Sequence, residues 1–269
     1  MKGKSVIDIQ HPEVWELLVS IDETQVDYIL YTPTVANSLV MGQVKLADSS
    51  LQTLEDAVYD TPELLGEYKR VRVVVHSRHF VLLPLVAADD DCAMLVRQAF
   101  PADDGDVAVC PVPGSGVKIA YLMPRSLPAF LGRTFNYPSV CHHLMPLCEY
   151  FKEHCREDAA SRMFLHLSGE TMDMAIYREG ALLCANTYPF TNAQDAAYFA
   201  LGAWRANGLD QLADELLLAG DGDLRAAVTP VLREYVKQVM PAVYPAAAMR
   251  LGRNAMRAPM ELILLALCE

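Results

Sequence analysis

The sequence predicts an α/β protein made of two related lobes, each a mixed sheet flanked by helices. Three observations carry that prediction. Apolar runs of strand length come in two trios of similar spacing, each trio precedes a helix, and each helix precedes a buried strand and a further helix. The first trio is Val14–Ile21, Val26–Thr32 and Ser38–Leu46. The second is Met163–Ser168, Met172–Arg178 and Ala181–Phe190, with Glu179 and Gly180 as its tight turn. Helices are predicted over Leu51–Tyr68 and Ala193–Asn207, and the buried strands over Val71–Ser77 and Glu215–Ala219. A duplicated meander of this kind, with helices crossing back onto it, places two lobes on either side of one cleft.

Along the first half, residues 1–13 form a leader. Tyr28, Leu30 and Thr32 alternate with Ile29 and Tyr31 as in a half-buried strand. Leu51, Leu54, Val58 and Leu65 keep helical spacing behind an N-cap at Ser49 or Ser50, and Pro62 after Thr61 breaks and restarts that helix. Arg72–Leu83 reads as one long Val-rich run ended by Pro84. Asp89, Asp90 and Asp91 open the helix Cys92–Phe100, where carboxylates favour the positive end of the dipole. Strands Val107–Pro111 and Val117–Met123 flank a turn at Pro113–Gly116. A helix Pro124–Phe135, a strand Ser139–His142 and a helix Leu144–Cys155 follow.

This stretch, about residues 105–155, finds no counterpart in the second half. It is expected to be a small subdomain, inserted into or elaborating a first lobe of residues 1–158, with the second lobe at 159–269 and the polar segment Glu153–Ser161 as linker. In the second lobe Asn192 caps a helix that Gly208 ends. Asp223 starts a long helix Leu224–Met240, which Pro241 and Pro245 stop. Ala247–Leu251 is expected as a last strand. Pro259–Cys268 is expected as a closing helix packed on the second lobe, with a docking tail as the other reading of that segment.

At 269 residues, 52% of them hydrophobic and 21% charged, the chain can bury a sizeable core. A formal charge of -12 excludes a broad phosphate-binding surface. The basic clusters Lys69–Arg72 and Arg250–Arg257 lack interleaved aromatics and read as solvated faces. Seven scattered cysteines, an odd number, read as reduced thiols, and Met1–Gln10 holds no apolar signal stretch, so a cytoplasmic protein is expected. Leu262–Leu267 falls far short of the ~20 apolar residues of a membrane span.

Three stretches then resemble the actin-like ATPase superfamily, whose lobes have a ribonuclease-H-like fold. RVVVHSRHFVLLPLVAADDDCAMLVRQAF is similar to its strand–proline–helix element, VKIAYLMPRSLPAFLGRTFNYPSVCHHLMPLCEYF to its extra subdomain, and FLHLSGETMDMAIYREGALLCANTYPF to the hairpin opening its second lobe. The pilus-assembly and cell-division branches look nearest. Over Val14–Glu269, including the terminal LLALCE, the chain more closely resembles a Bacteroidetes family of unknown function with that fold.

The resemblance implies a site that can be tested residue by residue. Active members place an Asp–x–Gly turn in each of two hairpins, where backbone N–H groups approach phosphates and the Asp holds hydrated magnesium. Here the first Asp position falls on Ser20 and its Gly on Asp22. The second Asp position falls on His166, its Gly on Ser168, and the usual Thr on Met172. Asp22 brings a carboxylate toward the would-be phosphates, which costs binding energy. The adenosine-side Gly-Gly turn is half kept in Ala219–Gly222, and another Gly-Gly is Thr191–Asn192.

The nucleotide site therefore reads as degenerate, comprising Ser20, Asp22, Glu23, Thr24, Ser168, Gly169, Glu170, Gly220 and Gly222. The expectation is a non-catalytic scaffold or adaptor that needs no cofactor and binds a protein partner, with a homo-oligomer possible. The alternative is an ATP-binding protein or ATP-dependent small-molecule kinase using magnesium, with Asp22 and Asp173 as displaced acids.

Two other groups invite chemistry. Cys141, His142, His143, Cys148, His154 and Cys155 lack zinc-ligand spacing, whereas Leu144, Leu147, Cys148, Phe151 and Cys155 make one apolar helix face. His76, Ser77 and His79 end a buried strand and could join Asp22 or Asp27 as an acid–base group, against the plainer reading of strand-end polarity. There is no G-x-S-x-G elbow, and Gly220–Gly222 lacks the third glycine of a dinucleotide fingerprint.

Overall fold

The computed structural model describes residue 9, residues 11–155 and residues 160–268. Residues 1–8 and 10 of the predicted leader and the centre of the predicted linker (156–159) lie outside the described residues. In chain order the first half builds β1 (Glu16–Ile21), β2 (Gln25–Tyr31), β3 (Val40–Lys45), α1 (Leu51–Tyr59), β4 (Arg70–Val75), β5 (Phe80–Pro84), α2 (Asp89–Ala99), β6 (Asp106–Val112), β7 (Val117–Met123), α3 (Leu127–Thr134), β8 (Ser139–His142) and α4 (Leu144–Glu153). The second half builds β9 (Arg162–Ser168), β10 (Thr171–Arg178), β11 (Ala181–Pro189), α5 (Ala193–Ala206), β12 (Glu215–Gly220), α6 (Gly222–Arg233), β13 (Gln238–Pro241) and α7 (Met260–Leu267).

The duplication is closer than the sequence suggests. One five-stranded sheet runs β3-β2-β1-β4-β8 and the other β11-β10-β9-β12-β13, with the same alternation of antiparallel and parallel neighbours. Strand β8 is thus the counterpart of β13. The predicted subdomain of about residues 105–155 divides differently: β5, β7 and β6 form the third sheet with α2 on it, whereas β8 and α4 complete the first lobe.

Three further expectations are corrected. The Val-rich run Arg72–Leu83 is two strands in different sheets, because polar Ser77-Arg78-His79 interrupts the burial pattern. The predicted helix Leu224–Met240 stops at Arg233. Gln238–Pro241 finds its backbone partners on β12 instead, Val239 opposite Leu216, where a branched side chain suits a strand. Ala247–Leu251 lies in 3-10 turns rather than a strand.

Strand β2 is buried on both faces, not half-buried, since Tyr28 through Thr32 all lie inside. The helix predicted over Leu51–Tyr68 ends at Tyr59, and a 3-10 turn at Pro62–Leu64 follows the break placed at Pro62. Its cap is Ser50, whose hydroxyl accepts from the Thr53 amide at 3.2 Å. Replacing Ser50 by Ala is expected to lower stability by about 1 kcal/mol, read from the urea midpoint.

The closing helix corrects another expectation. From Ala246 the chain crosses back to the first lobe, where the Asn37 and Leu39 amides donate to the carbonyls of Arg250 and Leu251. Helix α7 then packs against β1 and α4, not on the second lobe. Buried Arg72 holds its far end, donating to the carbonyls of Leu265 and Cys268 while also pairing with Glu16 (3.2 Å) and the Tyr31 hydroxyl (2.9 Å). Helix α4 lies between the lobes: Phe151 stacks on Phe164, and the Tyr177 hydroxyl donates to the Cys148 carbonyl at 2.7 Å. Among the described residues no helix is long and apolar enough to cross a membrane.

Candidate functional site

The ends of β1 and β9 face each other across a cleft of about 760 Å3. The parallel neighbours of each strand and the hairpin that follows it set what reaches the cleft. Ser20 lies opposite Asp27 on β2, and His166 lies opposite Asp173 on β10 and Ala219 on β12. Of the residues singled out from sequence, Ser20, Asp22, Ser168, Gly220 and Gly222 line the cleft, as do His76 and His166. Glu23, Thr24, Gly169 and Glu170 do not.

The carboxylates of the predicted turns are already engaged by their own backbone. Asp22 Oδ1 accepts from the Thr24 amide and hydroxyl and the Gln25 amide, at 2.6–2.8 Å. Asp221 caps α6, accepting from the amides of Asp223 and Leu224 at 2.8 and 3.1 Å, so a side chain of the protein occupies that helix N-terminus. Gly220 is at φ +89°, and a Cβ there would lie 2.1 Å from the Leu167 carbonyl oxygen. Its close approach to β9 requires glycine. Met172, at the usual Thr position, is fully buried.

Two hydrogen-bonded groups stand where the cleft meets the ends of β1 and β9. In the first, His76 Nε2 lies 2.9 Å from Ser20 Oγ and 3.4 Å from Glu261 Oε1, and the Ser20 hydroxyl donates to Glu261 at 3.1 Å. Burial disfavours the charged imidazole of His76, but the Glu261 carboxylate overrides it and raises the pKa. Burial likewise opposes the Glu261 charge, and His76 wins, holding the carboxyl at about 2. Ser20 and Glu261 meet the same imidazole nitrogen. A Ser–His–acid relay needs them on opposite nitrogens, so this is a hydrogen-bonded cluster and not a nucleophile triad.

In the second group Asp173 is the hub. Its Oδ1 accepts from His143 Nε2 (2.9 Å) and the Thr187 hydroxyl (2.7 Å), and its Oδ2 from His166 Nδ1 (3.2 Å). Burial pushes the carboxyl up, yet His143 and His166 hold it well below the ordinary carboxylate range. His143 is stacked between His76, at 4.5 Å and 10° between planes, and His142, at 4.3 Å. His142 donates from Nε2 to the Ser77 carbonyl and accepts the Leu144 amide at Nδ1, which fixes it as a neutral tautomer. Burial and its neighbour His143 push His142 well below the ordinary imidazole value. Burial lowers the pKa of His143 too, despite Asp173.

The predicted acid–base group is therefore rearranged. His76 pairs with Glu261, not with Asp22 or Asp27. Ser77 contributes its carbonyl, and His79 turns away to Asp103 and Phe100. Asp27 is held by the Gln25 and Gln43 amides, and burial raises its pKa.

The suspected zinc residues are dispersed. Cys141 and Cys148 are core side chains, with burial pushing the Cys148 thiol up to about 12, and His154 and Cys155 bond to carbonyls of α4. Among the described residues no group of three or more His, Cys, Asp or Glu is placed to hold a metal.

Sequence reasoning missed Glu261, Arg225 and Arg257 as cleft residues and His143 and Asp173 as one bonded pair. Glu261 had a signal, since it is the sole charge within the apolar run of α7.

Comparison with known proteins places this geometry. The profile of a family described as "Protein of unknown function (DUF3822)" matches residues 4–239. A crystal structure from Bacteroides thetaiotaomicron VPI-5482, of a protein with actin-like ATPase fold and unknown function, superposes with a TM-score of 0.80 at 21% identity, covering 98% of this chain and 99% of that one. A PilM–PilN type IV pilus biogenesis complex gives 0.53 at 12% identity, covering 96% and 100%. These likenesses show the fold: both lobes are of the actin-like ATPase type. No curated protein matches the chain by sequence.

Proposed function

Because this chain belongs to the DUF3822 family and has the actin-like ATPase fold, we propose that it is a non-catalytic member of that fold, a scaffold or adaptor that binds a protein partner without using ATP. The observation that carries the reading is the replacement of both metal-side acids. Ser20 and His166 stand in their places, and each is tied into bonds with other side chains of the protein.

The remaining acids support it. Asp22 and Asp221 each hold one oxygen, Oδ1, on backbone amides, and Asp173 already accepts three hydrogen bonds. Asp22, Asp27, Asp221 and Glu261 outnumber Arg225 and Arg257 in the cleft lining, which disfavours the added negative charge of a triphosphate. Magnesium and a nucleotide do not fit these residues. The bonds from His143 to Asp173 and Thr187 tie the lobes together without a ligand.

The partner half of the reading draws on the PilM–PilN complex, in which a protein of this fold is assembled with another. Seven free thiols accord with a reducing compartment, and we place the protein in the cytoplasm. Titration calorimetry with ATP and magnesium, paired with a phosphate-release assay, tests the proposal. No heat of binding and no release is the expected result. Micromolar binding with steady release overturns it in favour of an ATP-dependent enzyme, and binding without release in favour of a nucleotide-held switch.

A further inference from the structure

The cleft between the lobes carries charges of both signs that do not meet. Arg225 on α6 and Arg257 in the 3-10 turn before α7 both line it. Arg225 spends its Nε on the Gly220 carbonyl, at 3.1 Å, and neither arginine is paired with a carboxylate among the described residues. Asp22, Asp27, Asp221 and Glu261 line the same cleft. Asp22 and Asp221 each keep Oδ2 free of the turns that hold Oδ1.

Two further groups, each more than nine-tenths buried, turn an unused atom to this space. His166 is 4% exposed and Glu261 5%. The Nδ1–H of His166 goes to Asp173, which leaves Nε2 as a lone-pair acceptor with no hydrogen-bond partner among the described residues. Glu261 Oε1 serves Ser20 and His76, and Oε2 bonds to no other described residue. Neither atom is sealed in the core, and both residues line the cleft, so one acceptor from β9 and one from α7 open on it. Such a pair suits the N–H groups of an ammonium. The two unpaired guanidinium groups suit a carboxylate.

We propose that the cleft binds an amino acid as its zwitterion, with the ammonium held by Glu261 and His166 and the carboxylate by Arg225 and Arg257. Met41, Tyr244 and Met256 line the same space and give the carbon chain apolar surface to lie on. This ligand class answers both signs of charge at once. A polyamine leaves the arginines unpaired, and a triphosphate sets its charge against four carboxylates. The inference goes beyond the scaffold reading, which assigns the cleft no ligand.

Thermal unfolding of the full chain with each of the common L-amino acids, at millimolar concentration, tests this, and calorimetry measures the affinity of any that raises the midpoint. At least one amino acid is expected to stabilise the protein. Its decarboxylated amine and its deaminated acid, each lacking one charge, are expected to lose that effect. Arg225→Gln and Arg257→Gln should each weaken binding by about 10- to 100-fold, the share of one charge-assisted hydrogen bond. Both side chains reach solvent, so these variants serve if Glu261→Gln, which should weaken the ammonium end likewise, fails to fold. No stabilisation by any amino acid overturns the site, as does equal binding of the decarboxylated amine. Undiminished affinity in a folded double variant of Arg225→Gln and Arg257→Gln overturns it too. Neither ATP nor a protein partner enters these readouts, so their failure is separate from failure of the scaffold reading.

Discussion

Asp173→Ala is expected to lower the unfolding free energy by about 3–5 kcal/mol, the usual cost of removing one partner from a buried ionic cluster. The substitution strips the acceptor from His143, His166 and Thr187 together and leaves their polar atoms inside the protein. The acid limb of the stability curve should change as well. Asp173 has its pKa depressed in the folded protein, so the stability it contributes is present above the ordinary aspartate value, about 3.9, and is lost progressively as pH falls below it. Urea unfolding at about pH 7 and about pH 3.5 should show a smaller acid loss for Asp173→Ala than for the wild type. An equal loss in both proteins would place the acid-sensitive carboxylate elsewhere.

Gly220→Ala is the second large effect, and it separates two roles for one turn. The added Cβ meets Leu167 backbone atoms at 2.1 to 2.8 Å, where nothing flexible can give way. Positive φ adds about 1–3 kcal/mol of strain, and overpacking about 1–3 kcal/mol more. Gly222→Ala is the control, since its Cβ would meet nothing nearer than an Arg225 guanidinium nitrogen at 3.9 Å. Thermal unfolding should therefore show a large loss at 220 and almost none at 222. A glycine pair kept for a nucleotide would instead show its effect in ligand affinity at both positions.

The contrast between those glycines shows what the sequence disclosed and what it withheld. Strand trios were legible because Leu17–Ile21 and Met163–Leu167 are apolar runs, each with a single polar residue, Ser20 or His166, and bounded by turns, a purely local signal. The meeting of Ser20 and His166 at one cleft was legible too, since both sit at fixed places in their hairpins.

Pairings between distant segments were not legible. His143 meets Asp173 across 30 residues, and Ser20 meets Glu261 across 241, and no periodicity encodes such contacts. Strand β13 was misread for a related reason. Gln238–Pro241 is too short to show a period of its own, and only the free edge of β12 makes it a strand. The cysteines between Cys141 and Cys155 were read by spacing as helix face and core, and Cys141 and Cys148 are buried.

The return of α7 to the opposite lobe orders the birth of the protein. A nascent chain leaving the ribosome exposes β1, α4 and the Arg72 guanidinium long before residues 260–268 arrive to cover them. Each five-stranded sheet lies within one contiguous stretch, but α7 packs on β1 and α4 of the first half. The half synthesised first has to wait, its apolar floor open, until the closing helix of α7 is delivered.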